Sequence, residues 1–92
     1  MILNFRDAET QKVYATGKSR KFGATARVAA RRLAVIGFAK TLADLREPPG
    51  NRLEALQGGR KGRYSIRIND QCRGCFRWDG KDAADVEIVD DH

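Results

Sequence analysis

The spacing of apolar positions changes period once along the chain, and each half predicts different elements. "ILNF", residues 2–5, is a short apolar run that reads as a first strand. Asp7 stands where a helix N-cap belongs, and Glu9 falls in the first turn, where negative charge suits the dipole. That helix is expected to stop at Gly17, a C′ glycine, ahead of the basic stretch "KSRKFG". A second, longer helix is expected from Ala24 to Leu45. Val28, Val35, Ala39 and Leu42, with Ala29, Leu33, Ile36 and Ala43 beside them, form one broad apolar stripe at helical spacing. Arg27 and Arg31 sit off that stripe. "REPPGN" ends the helix, because Glu47 precedes a proline and Pro48–Pro49 cannot continue it.

After Gly50 the period becomes two. "RLEALQ" reads as a short strand, followed by the flexible basic loop "GGRKG". In "RYSIRI", Tyr64, Ile66 and Ile68 share one face, while Arg63, Ser65 and Arg67 share the other. "ND" is expected to be a tight hairpin turn of the primed type. In "QCRGCFRW", Phe76 and Trp78 oppose Arg73, Cys75 and Arg77; "DG" then begins a turn, and "ADVEIVD" is the last strand. Two helices followed by a strand meander define an α+β domain, with both N-terminal helices on one face of a small, mainly antiparallel sheet. The other face would carry the odd-numbered arginines, a concave basic surface if the sheet curls.

At 92 residues, 41% of them hydrophobic, the chain is expected to fold as one domain, residues 1–92. It has no apolar run long enough to cross a bilayer, and "MILNFRD" meets an acid too early for a signal peptide, so a cytoplasmic protein without membrane association is expected. The net charge is +6 and the pI about 9.8. From Thr10 to Ala43 there are eight Lys or Arg residues and no acid, whereas six of the twelve acids lie between Asp79 and Asp91. Such segregation favours a polyanionic partner. The competing explanation is that these cations only solvate helix and strand faces.

Two further motifs carry little. "CRGC" has redox or zinc half-site spacing, but a zinc site needs about four ligands, and there is neither a second cysteine pair nor more than one histidine. Its strand-like setting also turns positions i and i+3 to opposite sides, away from the helix N-terminus that redox motifs use. "GGRKG" lacks the spacing of a nucleotide-binding P-loop, which leaves a hairpin loop or a contact to a nucleic acid backbone.

The segment "PPGNRLEALQGGRKGRYSIRINDQCRGCFRW", together with "VEIVDDH", resembles the HigB branch of the RelE/ParE toxin superfamily. The likeness is dense from Pro48 to His92 and persists upstream as a first strand, "TGKSRKF" and a long Arg- and Ala-rich helix. The resemblance implies a RelE-like fold and the toxin of a type II toxin–antitoxin pair. It implies cleavage of messenger RNA on the translating ribosome, with no cofactor and no metal. The implied partners are the ribosome, its mRNA and a HigA-like helix-turn-helix antitoxin, with operator DNA reached only through that antitoxin.

Metal-free RNA cleavage requires a base for the ribose 2′-hydroxyl, an acid for the departing 5′-oxygen and cations for the phosphorane. Histidine titrates near cellular pH, and arginine offers a permanently charged planar fork to phosphate oxygens. By the resemblance, Asp90 and His92 transfer protons, and Arg73, one strand over, clamps the scissile phosphate. Both terminal residues are expected to turn toward the basic face. Arg60, Lys61, Arg63, Arg67 and Arg77 are the expected RNA contacts.

The chain departs from its family at several positions. Asp91 replaces a usual penultimate aromatic, which would stack on a base. Glu54 and Gln57 stand where some relatives have a histidine and a lysine; Glu54 retains the ability to act as a base. Cys72 and Gly74 replace a frequent aromatic and a branched aliphatic, and glycine inside a strand costs stability. An attenuated nuclease is therefore expected. The alternatives are a ParE-like inhibitor of DNA gyrase and a catalytically degenerate RNA- or ribosome-binding homologue.

Overall fold

A computed structural model describes residues 1–47, 49–58 and 62–90. Helices α1 (Ala8–Thr16) and α2 (Thr25–Phe38) precede strands β1 (Glu54–Ala55), β2 (Arg63–Arg67), β3 (Cys72–Trp78) and β4 (Ala83–Asp90). The strands form one antiparallel sheet in the order β1-β2-β3-β4. Both helices contribute to the core that covers one of its faces, as expected of this α+β pattern.

Asp7 caps α1 by accepting from the Thr10 backbone at 2.7 Å, and Gly17 closes it at φ 70° with its N–H on the Val13 carbonyl. Thr10 then reaches into the sheet: its hydroxyl accepts from the Ile88 amide of β4 at 3.1 Å. The N-terminal segment satisfies the rest of that edge. Ile2 and Phe5 form isolated parallel bridges to Ala83 and Val86 rather than the continuous strand expected of "ILNF". An otherwise open sheet edge is thus covered by one hydroxyl and six residues of chain.

The second helix is shorter than expected. It ends at Phe38, Ala39 turns extended at ψ 134°, and a separate 3-10 turn runs from Leu42 to Leu45. The cause is a capping box: Thr41 accepts from the Asp44 amide, while the Asp44 carboxylate accepts from the amides of Lys40 and Thr41. These bonds give the backbone an alternative to further helix. The buried stripe of α2 is Ala26, Ala29, Leu33 and Ile36; Val28 is exposed.

The core lies between that stripe and Ile66, Ile68, Phe76, Val86 and Ile88, with Val13 and Leu45 closing its ends. Tyr64 and Trp78 flank Phe76 at centroid distances of 6.2 and 6.3 Å. The β2–β3 turn is not of the primed type, since neither Asn69 nor Asp70 has positive φ. Instead Asn69 Oδ1 accepts from the amides of Gln71 and Cys72, so a side chain does the turning.

Candidate active site

The open face carries Arg63, Ser65 and Arg67 of β2 and Arg73, Cys75 and Arg77 of β3, in the alternation read from the sequence. Its charge is not purely basic. Arg63 pairs with Glu87 at 3.4 Å, Arg77 with Asp85 at 3.4 Å, Arg73 with Glu54 at 3.6 Å, and Arg67 with Asp70. Glu87 and Glu54 could not be foreseen because they come from strands distant in the chain from Arg63 and Arg73, whereas Asp70 lies only three residues from Arg67. A bulge opposite Cys75–Arg77 adds a residue to β4 at Asp85, whose φ of 51° marks the irregularity. The bulge aims the Asp85 carboxylate at Arg77 and Asn4, and these hydrogen bonds, Asn4 first, hold its pKa below the ordinary 3.8.

Arg63 is the more enclosed arginine, at 13% exposed, and donates to the Asp85 carbonyl at 3.4 Å; Arg73 differs in that its two shortest bonds go to neutral acceptors. Its side chain is only 17% exposed. Nε donates to the Ser65 hydroxyl at 2.8 Å, and one terminal nitrogen donates to the Arg52 carbonyl at 2.9 Å. Ser65 is fully buried, and Arg52 sits at φ 47°, a left-handed conformation that costs a non-glycine residue about 1 kcal/mol or more. Directly across the ladder from Arg73 lies Arg67, another cation. Like charges opposite one another are unfavourable in a sheet. Arg63 and Arg77 oppose each other in the same way, so the feature peculiar to the Arg73 surroundings is the left-handed backbone of Arg52, a kind of strain that tends to collect at functional sites. Ser65, Arg52 and the buried Asn51 before it were not among the residues singled out from sequence; a polar position inside an alternating strand was the available signal for Ser65.

Of the expected catalytic set, Glu54 and Arg73 come together. The expectation that Asp90 turns toward the arginines does not hold. Asp90 is the direct partner of Cys72, and Val89 is the partner of Arg73. Directly paired residues share a face, and Cys72 belongs to the helix-side core. The alternation that buries Val86 and Ile88 carries Asp90 to that same side. Burial raises the pKa of the Cys72 thiol, and the Asp90 carboxylate raises it further. His92, its neighbour Asp91, and the loop cations Arg60 and Lys61 lie outside the described residues.

Cys72 and Cys75 are both buried, and they point to opposite sides of β3. Gly74 leaves room above α2: an added Cβ would meet Ile36 and Leu33 at 3.6 Å, ordinary contact. Among the described residues, no three His, Cys, Asp or Glu side chains converge as metal ligands would, and no helix is long and apolar enough to cross a membrane.

Two helices on one face of a short antiparallel sheet, with arginines on the other, define a RelE-like α+β architecture. A family model described as the RelE-like toxin of type II toxin–antitoxin system HigB matches residues 3–92. The chain is also similar to Toxin HigB-1 of Vibrio cholerae serotype O1, 38% identical over 80 residues that cover 85% of this chain and 84% of the relative. It is 34% identical over 62 residues to an uncharacterized protein of Haemophilus influenzae, covering 67% of this chain and 61% of that protein. The chain therefore belongs to the HigB family of RelE-like toxins of type II toxin–antitoxin systems. Membership implies a cognate antitoxin partner.

Proposed function

We propose that this toxin is a ribosome-dependent endoribonuclease that cuts translated mRNA and so inhibits translation. The reading is supported above all by the held guanidinium of Arg73, with Glu54 on the same face at 3.6 Å. Two neutral acceptors at 2.8 and 2.9 Å orient this arginine, its carboxylate partner Glu54 is farther off and 60% exposed, and donors are left for a phosphate. In the proposed step a base removes the 2′-hydroxyl proton and the 2′-oxygen bonds to phosphorus. The bond to the 5′-oxygen breaks, and an acid returns a proton to that oxygen. Arg73 stabilises the intervening dianionic phosphorane, and permanent guanidinium charge is why no metal is required of the mechanism.

Glu54 is the carboxylate whose position favours the role of base. The part given to His92 in proton transfer rests on the family resemblance, and Asp90, which pairs with Cys72 rather than with Arg73, is given none. Arg67 faces Arg73 and is the strongest candidate for a flanking RNA contact, with Arg60 and Lys61 of the loop. Arg67 also pairs with an acid, but Asp70 is 92% exposed, whereas Arg63 and Arg77 are tied to the less exposed Glu87 and Asp85 and contribute less. The antitoxin is proposed to be HigA-like, with a helix-turn-helix that alone contacts operator DNA, and the site of action is the cytoplasm.

The test is inducible expression followed by primer extension on a translated message. The wild-type chain is expected to cut and to arrest growth, and His92→Ala is expected to lose most cleavage, on the order of 10²–10⁴ in rate, while folding normally. Cleavage unchanged by His92→Ala would remove the terminal residue from the mechanism. Inhibition of gyrase supercoiling without RNA cleavage would replace the nuclease reading altogether.

A further inference from the structure

We propose that Asn51 is a positioning residue for the Arg73 guanidinium, acting through the carbonyl of Arg52. The inference rests on the reading of Arg73 as the phosphate-binding group. Asn51 is fully buried, an unusual place for a side-chain amide. Its polar atoms are all engaged. Nδ2 donates to the carbonyls of Leu45 and Glu47 at 3.3 and 3.2 Å, and Oδ1 accepts from Nη1 of Arg32 on α2 at 2.5 Å. Asn51 thereby joins the loop after the 3-10 turn to the second helix.

The residue that follows is the strained one. Arg52 stands at φ 47°, and its carbonyl points at Arg73. A left-handed non-glycine residue persists where its surroundings over-determine it. Here the bonds of Asn51 fix the chain on one side, and the pairing of Glu54 with Ser65 fixes it on the other. The Arg52 carbonyl is thus a rigid acceptor. Without that carbonyl the guanidinium would keep Ser65 on Nε and, at 3.6 Å, the exposed Glu54 carboxylate, a looser hold that lets it pivot. The second acceptor fixes its plane, and with it the direction of the donors left for phosphate. A continuous path of hydrogen bonds and one backbone link then runs from Arg32 on α2 to Arg73 on β3.

A double-mutant cycle separates this role from plain structural support. Asn51→Ala is expected to slow single-turnover cleavage on programmed ribosomes by roughly 10- to 100-fold, the scale of a small misplacement of a catalytic group. Ribosome affinity should not change, because Asn51 is buried. Added to Arg73→Ala, the same substitution should cost nothing more; equal losses in both backgrounds would overturn the proposal. A second readout needs no cleavage at all. The Arg73 Nη2–H bonded to the Arg52 carbonyl should exchange slowly by NMR in the wild type and quickly in Asn51→Ala, and unchanged exchange would also overturn it. Full cleavage by Arg73→Ala would instead defeat the phosphate-binding reading, while the exchange result still decided the positioning claim. Should Asn51→Ala not fold, Arg32→Met removes only the α2 donor and is expected to give the same pattern at smaller amplitude. No change in either readout for that variant would sink the path from α2.

Discussion

At one rung of the β2–β3 ladder, Arg63 and Arg77 face each other and meet Glu87 and Asp85 of β4, and Arg6 reaches Glu87 from the N-terminal segment. At the other rung, Arg67 and Arg73 face each other in the same way, but Arg73 meets a hydroxyl and a carbonyl before it meets the Glu54 carboxylate at 3.6 Å, and Arg67 pairs with the exposed Asp70. The residue types are the same and the electrostatics differ. At the first rung charges cancel within the molecule, so the arginines act as ties between β2, β3 and the bulged β4. At the second, neutral acceptors hold Arg73 more closely than its carboxylate partner does, and the acids beside it and Arg67, Glu54 and Asp70, are themselves 60% and 92% exposed. That difference is what the proposed phosphate-binding role of Arg73 rests on.

The largest expected difference between the two rungs is catalytic. Arg73→Ala should reduce ribosome-dependent cleavage by on the order of 10²–10³ and relieve toxicity. Arg77→Ala, whose partner Asp85 is itself 38% exposed, should leave cleavage within about threefold and cost at most about 1 kcal/mol of stability. Comparable losses of cleavage for the two variants would erase the distinction.

Glu54→Gln sharpens the comparison. It keeps the shape of the side chain and removes both the proton acceptor and the competing charge beside Arg73. If Glu54 takes the 2′-proton, the rate should fall on the order of 10² while ribosome binding holds or tightens. A faster enzyme would mean that Glu54 only restrains Arg73.

The first rung should also show itself in acid. The Asp85 pKa is lowered in the folded protein, principally by hydrogen bonds from Asn4 and then Arg77. A depressed carboxylate contributes stability that is fully present above the unfolded value and is lost as pH falls through the folded one. The ordinary value is 3.8, so the loss from Asp85 is confined to pH below that region. Asp44 and Asp79 behave alike, through backbone amides of Lys40 and Thr41 and of Asp82 and Lys81. Thermal melts of Asp85→Asn should therefore show a shallower acid-side decline than wild type, with equal slopes near neutrality.

The smallest effect lies in the core beneath both rungs. Gly74→Ala adds a methyl that meets Leu33 and Ile36 at ordinary distance, on backbone without positive φ. It should stabilise the fold by about 0.5 kcal/mol, chiefly by restricting the unfolded chain. A fall in melting temperature would show that the helix and sheet are packed too closely for it.

Much of this architecture was legible in the residues. Asp7 and Gly17 bound α1 because capping is local chemistry, and the period of two in "RYSIRI" set the faces of β2 because successive strand residues must alternate. The HigB resemblance carried the family, and Arg73 with it. Other features depend on partners distant in sequence. The break after Phe38 was open to reading, since Thr41 and Asp44 are three apart, yet the apolar stripe running through Ala43 outweighed it.

What the sequence determined by itself was therefore the α+β order, the covered and open faces of β2 and β3, and membership of a toxin family, all properties of short-range spacing or of motif. Only the tertiary structure decided that the open face is half acidic, that a bulge at Asp85 turns a carboxylate onto Arg77, and that Asp90 stands with Cys72 rather than with Arg73. It also brought Arg32, Asn51, Arg52 and Ser65 into one chain of contacts ending at Arg73. The reason is physical: a side chain's charge and spacing are written locally, but its burial and its partner are set by where the rest of the chain comes to lie.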